Sequence, residues 1–428
     1  MPMPATRNQF ALPALQHTVP NNVFVFRPDL AKNRAMHGGL PQLSAACGEI
    51  LYQISSVARR VQGNIMRIRT FIAAAAAVAT LAGPSAALAE VVIAGNIPLT
   101  GPVAAYSGNY FKGFQLGLEE TCAKLNVDCS EFKVDAQDNA SQTQQAVSIA
   151  QRQMLESPAV VISGTSDASS AIGPFFDDKN VAHFMIAFDA RIVEKGESRM
   201  RLLPNFKDES VQYLRLIDKL QPKKIFAMAL NNSSNVEMFE TVVGPEILNR
   251  HIDYTFTPFD FETSDFSNLA LRAKEANADL YIVSGYSFQI YPLMKALRAY
   301  GIDASKIVVT MDFIDLLYNG TPKAELEGFY FTTPTFEIPG ALPAADRFRA
   351  AYKAKYGADP SYLEAYAYDT AALIVTAYAK SGRVDEGSLL AQTPFEGVTG
   401  TIVFDEYGDI QGTTNVAEYT KDGVVEVK

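Results

Sequence analysis

AVVISGTSDASSAIGPFFDDKNVAHFMIAF, residues 159 to 188, reads as one strand–helix–strand unit. AVVISG (159–164) is apolar up to its Ser-Gly end, SSAIGPFFDDKN (169–180) follows as a helix, and HFMIAF (183–188) is a second apolar strand. Strands without polar alternation are buried on both faces, the situation of a parallel sheet covered by helices. The wording returns in DLYIVSG (279–285), again a buried strand ending in Ser-Gly and leading through polar residues into a helix. Around the first copy lie EVVIAGNIP, the helix YFKGFQLGLEETCAKL, the strand FKVDAQDN and the helix SQTQQAVSIAQRQMLE. From about Pro204 a second alternating series runs from DESVQYLRLIDKL and KKIFAMALNN to KIVVTMD. Two helices (ADRFRAAYKAKYG, LEAYAYDTAALIVTAYAKSG) and short strands around TGTIVFDEYGDIQG close the chain. The expected fold is therefore α/β, with two doubly wound Rossmann-like lobes.

Upstream, MRIRTFIAAAAAVATLAGPSAALAE (66–90) has the three parts of a secretory signal: basic Arg67 and Arg69, an apolar run from Phe71 to Ala82, and Ala87-Leu88-Ala89 after Gly83-Pro84. The run is shorter than the roughly 20 residues that span a bilayer, so residues 66–89 are expected to be cleaved and the rest exported to the periplasm. Residues 1–65 show no sustained periodicity and are expected to be either a mis-called start, with translation from Met66, or a disordered extension. After Ala89 the chain holds 29 Lys/Arg against 45 Asp/Glu, a net of −16 that repels phosphate backbones and disfavours nucleic acid. Two cysteines, Cys122 and Cys129, lie in that part; in an oxidising compartment such a close pair is expected to form a disulfide. His183 and His251 stand alone, so no metal site and no cofactor is expected.

NIPLTGPVAAYSGNYFKGFQLGLEE, DNASQTQQAVSIAQ, VVISGTSDASSAIGP, FRAAYKAKYGADPS, AYAYDTAALI and FEGVTGTIVFDEYGD together resemble the leucine/isoleucine/valine-type periplasmic solute-binding proteins of ABC transporters, in order across 90–428. The resemblance implies two lobes joined by three crossovers that close on a small solute and deliver it, as a monomer, to an inner-membrane permease. Lobe one would comprise 90–205 plus 333–405, lobe two 206–332 plus 406–428.

Carried onto this chain, the resemblance puts Ser169 and Ser170 at a ligand carboxylate, where hydroxyls and a helix N-terminus attract an anion; the plainer reading is that they cap their helix. Tyr106 is similar to a residue that packs on the ligand, and Tyr286 and Gln289 stand opposite on lobe two. Asn235, just past KKIFAMALNN, and Asp312, the last residue of KIVVTMD, complete the candidate set. The positions of the family's ammonium-binding acids are occupied by Phe206 and Gln289, unless a short alignment shift brings in Asp208. Asp189-Ala190-Arg191 replaces the usual small or hydroxyl residues; Arg191 would either clamp a carboxylate or pair with Asp189. A family disulfide is missing, with Ser141 and Ser166 in its place. These departures favour a carboxylate or amide with an apolar or aromatic body over a standard α-amino acid, with Asp189 or Asp208 as rival ammonium partners.

Gly164-Thr165-Ser166-Asp167-Ala168 is one glycine short of a nucleophile elbow, and neither histidine has the context of a triad. No nucleotide-binding or zinc pattern occurs. A binder is expected and an enzyme is not; a periplasmic sensor serving a receptor shares every feature above.

Overall fold

Strands form where the apolar runs predict them. The computed structural model describes residues 90–177, 179–194, 196, 198–410 and 414–428. The segment 66–89, expected to be a cleaved signal, and the segment 1–65 lie outside the described residues. Five strands, β1 (Val91–Ile97), β2 (Phe132–Asp138), β3 (Val160–Gly164), β4 (Ala182–Ile186) and β5 (Arg199–Met200), make one sheet in the order β2-β1-β3-β4-β5, parallel throughout. β6 (Lys224–Leu230), β7 (Asp253–Phe259), β8 (Leu280–Ser284), β9 (Ile307–Val309) and β10 (Tyr330–Pro334) begin the second. After a hairpin of β11 (Phe395–Gly397) and β12 (Gly400–Ile402), the chain returns to it with β13 (Thr414–Thr420) and β14 (Gly423–Glu426). The second order is β14-β13-β10-β9-β8-β6-β7, with antiparallel pairing only from β10 outward. The chain thus passes between the lobes three times, at 201–205, at 335–342 and from 403 onward.

Every residue of β3, β4 and β8 is buried, which is why these segments carry no polar alternation. Lobe one is sealed by the helices Tyr110–Leu125 and Tyr362–Ser381. Gly113 and Gly117 form a bare stripe there: a Cβ on Gly113 would sit 2.0 Å from the Glu364 carbonyl oxygen, and one on Gly117 2.4 Å from that of Tyr368. Among the described residues no helix is long and apolar enough to cross a membrane.

Cys122, buried at the end of its helix, is bonded to Cys129, with Cα atoms 5.6 Å apart. Asn126 between them takes the left-handed conformation (φ 57°) that ends the helix, and its N–H donates to the Cys122 carbonyl. Replacing both cysteines by serine should lower the unfolding free energy by about 2–3 kcal/mol on the loop-entropy view. Urea unfolding of the oxidised protein and the double variant measures this; coincident midpoints would show the turn to be held by the cap alone.

Candidate functional site

In open α/β sheets ligands gather beyond the carboxyl ends of the strands, where the strand order reverses. In the first sheet that point lies between β1 and β3, in the second between β6 and β8. The four loops concerned face one another across the cleft between the lobes.

On lobe one, the loop after β1 is pinned by Asp138, whose carboxylate accepts from the Leu99 and Thr100 amides (2.8 and 3.1 Å) and the Thr100 hydroxyl (2.6 Å). It leads into the short helix Ala104–Gly108 carrying Tyr106. After β3, Thr165 sits at φ 69°, ψ 145°, a conformation that L-residues rarely adopt, and caps the helix Ser166–Phe176 through its hydroxyl (3.4 Å to the Ala168 amide). Ser166 opens that helix, and its Oγ accepts from the Phe188 and Asp189 amides (3.2 and 3.3 Å) of the loop after β4.

On lobe two, Asn232 Oδ1 accepts from the backbone and side-chain amides of Asn235 (both 2.9 Å), and Asn235 Oδ1 accepts from the Ser284 hydroxyl (2.5 Å). Tyr286 begins the helix after β8, with its ring edge-on to Tyr106 (centroids 5.8 Å apart); the Tyr106 hydroxyl accepts from the Ser287 amide at 2.8 Å, joining the lobes. Asp312 follows β9. Its Oδ2 accepts from the Thr310 hydroxyl at 3.3 Å, while its Oδ1 is buried with no hydrogen-bond partner. Burial pushes its pKa up to about 7; the Tyr106 hydroxyl, hydrogen-bonding to the carboxylate, opposes this, and the neighbouring Asp315 carboxylate adds to it.

These groups surround a cavity of about 30 Å³, room for a water or two. Ser166, Asp167 and Phe188 line it from lobe one; Asn232, Ser234, Asn235, Ser284, Tyr286 and Asp312 line it from lobe two, with Phe206 at the first crossing. Phe188 and Phe206 stack at 5.7 Å and 21° to form an aromatic wall. The lining includes two carboxylates, Asp167 and Asp312, and no lysine or arginine. A roomier cavity of about 490 Å³ lies at the amino ends of β1, β3 and β4, the wrong end of the sheet for a ligand site.

Of the residues singled out from sequence, Phe206, Asn235, Tyr286 and Asp312 line this cavity, and Tyr106 packs on Tyr286 beside it. Ser169 and Ser170 do not. Their helix starts at Ser166, which puts them one turn in: Ser169 is buried against Ser163 (2.7 Å between hydroxyls), itself 2.8 Å from His183 Nε2, and Ser170 faces outward. Ser166 and Asp167 hold the helix-start position instead. Gln289 is used internally, accepting from the Tyr286 amide (3.3 Å) and donating to the Phe261 carbonyl (2.8 Å). Arg191 grips Asp189 through two bonds (3.0 and 2.7 Å) and reaches Glu237 on lobe two (3.0 Å), so it latches the rim and Asp189 is neutralised. Ala190 makes the turn beside them, accepting from the Val193 amide. Asp208 closes the capping box of Phe206–Leu220 with Asn205. The polar run Asn231-Asn232-Ser233-Ser234-Asn235 after an apolar strand was the signal for the residues that sequence reasoning passed over.

Residues 90–423 match the profile of the periplasmic binding protein family. The Leu/Ile/Val-binding protein of Escherichia coli is 23% identical over 346 residues, covering 78% of this chain and 91% of that one. Two solved structures share the fold: a branched-chain amino acid transporter substrate-binding protein of Streptococcus pneumoniae in complex with isoleucine (TM-score 0.68, 23% identity, 79% of this chain and 99% of that one) and an ABC-transporter solute-binding protein of Rhodopseudomonas palustris in complex with 3,4-dihydroxybenzoic acid (TM-score 0.69, 20% identity, 78% and 96%). The chain belongs to the periplasmic binding protein family, whose members bind solutes and do not catalyse.

Proposed function

We propose that this protein captures a small solute bearing an amino group, with α-amino acids as the leading class, between its lobes and hands it to the permease of an ABC importer. The observation that carries this is the charge of the cleft. A buried carboxylate oxygen without a partner is costly, and a ligand donor relieves that cost best when it is cationic. Asp312 offers such an oxygen, Asp167 adds a second negative charge, and Arg191 is engaged elsewhere. A plain monoanion entering this cleft would meet two like charges. The lack of an acid at Phe206 and Gln289 therefore loses its force against an amino acid, because Asp312 supplies one from the loop after β9. The Ser166–Phe176 helix N-terminus would receive the α-carboxylate. The lobe limits given above and a signal cleaved after Ala89 belong to the same reading.

A second reading rests on the Phe188–Phe206 stack and Tyr286: a hydroxylated aromatic acid lying on that wall, with its hydroxyl on Asp312. A thermal-shift and calorimetric panel separates the two. At a concentration a hundred times its dissociation constant, the right amino acid should add about 2.7 kcal/mol to stability, and hydroxybenzoates little. Tight binding of hydroxybenzoates with no response to any amino acid would reject the amine reading.

A further inference from the structure

Asp312 also lines a second cavity, of about 130 Å³. It lies between the helix Phe313–Tyr318 of lobe two and the turn that starts the helix Tyr362–Ser381 of lobe one. Its volume approaches the ~150 Å³ that accommodates a benzene-sized molecule. Asp312, Asp315, Asp359 and Glu364 contribute carboxylates to its wall; Asp359 is paired with Lys353 (3.0 Å), and the one cation in the lining, Lys112, is exposed and hydrogen-bonded to Asn109 (3.0 Å).

Polar atoms here lack partners as well. Tyr362, 2% exposed, has a hydroxyl without a hydrogen bond, and Asp312 Oδ1 is the other orphan. Asp315 accepts from the Ser287 hydroxyl and, at 3.5 Å, from Asn319, leaving acceptor capacity on its carboxylate. Burial raises the pKa of Asp312, Asp315 and Glu364 alike, as expected of carboxylates short of positive partners. Five tyrosines, Tyr106, Tyr318, Tyr352, Tyr356 and Tyr362, also line it, and aromatic rings attract a desolvated cation. Tyr106 stands beside Asp312 at the boundary, held by the Ser287 amide.

We propose that the ligand site has two compartments that meet at Asp312, and that the second takes a further cationic nitrogen, so that the solute is a basic amino acid or a diamine. This rests on the amine reading above and narrows it. The first amino group answers to Asp312; the second, a few bonds away, enters between Asp315 and the tyrosines.

The test is calorimetry with arginine, lysine, putrescine and leucine on the mature protein. Arginine or lysine should bind about ten- to a hundredfold more tightly than leucine, the worth of one more charge-assisted hydrogen bond in a partly buried site. Asp315→Asn, which keeps shape and can still bond Ser287, should bring the arginine-to-leucine ratio to within about threefold. Tyr362→Phe, a smaller change, should lower the ratio in the same direction. Putrescine binding as tightly as lysine would show that no α-carboxylate is needed. Leucine binding as well as the basic solutes, or a ratio unmoved in both folded variants, overturns the two-compartment proposal and leaves the amine reading standing. Failure of every amine-bearing solute overturns both.

Discussion

Arg201→Met should cost about 3–5 kcal/mol of stability, the usual penalty for removing one partner of a buried ion pair. Arg201 is fully buried in the first crossing between the lobes. Its Nε donates to Asp409 Oδ1 at 3.0 Å and its Nη2 to Asp409 Oδ2, while Nη1 donates to the carbonyls of Ala187 (2.9 Å) and Asp189 (2.8 Å). Asp409 belongs to the third crossing and also accepts from Asn205 (2.9 Å) and the Ile410 amide (3.0 Å). One guanidinium therefore ties two of the three crossings together and fixes the loop that carries Phe188. Methionine fills similar space but leaves the Asp409 carboxylate short of its cation and two carbonyls without a donor. The chain has no tryptophan, so urea unfolding is best followed by circular dichroism. Because the same bonds hold the Phe188 loop, the folded variant should also bind ligand more weakly. A stability change under about 1 kcal/mol would mean that Asn205 and the backbone alone satisfy Asp409.

None of this pair was legible in the sequence, because Arg201 and Asp409 are 208 positions apart and meet only through two separate crossings. What periodicity could show, it did: β3 and β8 stand in equivalent places in the two sheets, as AVVISG and DLYIVSG imply. Local signals failed where several residues were equally suited to a role. Thr165, Ser166, Asp167, Ser169 and Ser170 are all residue types found at helix starts. The Thr165 hydroxyl on the Ala168 amide, and the bonds that Ser166 Oγ accepts from the Phe188 and Asp189 amides, show which turn opens the helix. Arg191 posed the reverse problem, two partners compatible with one side chain, and the second carboxylate, Glu237, comes from the other lobe. Asp312 was placed in the candidate set by its position after a strand. Its importance depends on burial, which no local pattern expresses.

Asp312→Asn should weaken binding of an amine ligand by about 30-fold or more, since truncating one partner of a buried charge pair costs roughly 2–5 kcal/mol. The dependence on pH follows from the raised pKa. In the unfolded chain the carboxyl titrates near the ordinary aspartate value of 3.8, in the fold near 7. Between those values the folded state holds the extra proton, so the unliganded protein loses stability as pH rises through this window and levels off above it. Glu209, buried beneath Asp312 with its pKa raised to about 8, contributes with the same sign. Asparagine at 312 removes the Asp312 part of this slope and should make the empty protein more stable at neutral pH. Binding of an amine runs the other way, because it needs the carboxylate ionised: affinity should climb by up to about tenfold per pH unit below 7 and then flatten. An anionic aromatic acid would show the opposite trend, weakening as Asp312 acquires its charge. Calorimetry across this range on the native protein and the asparagine variant therefore reads the ligand's charge from the sign of a slope. An affinity independent of pH, or an asparagine variant that binds an amine within about threefold of the native protein, would remove Asp312 from the site.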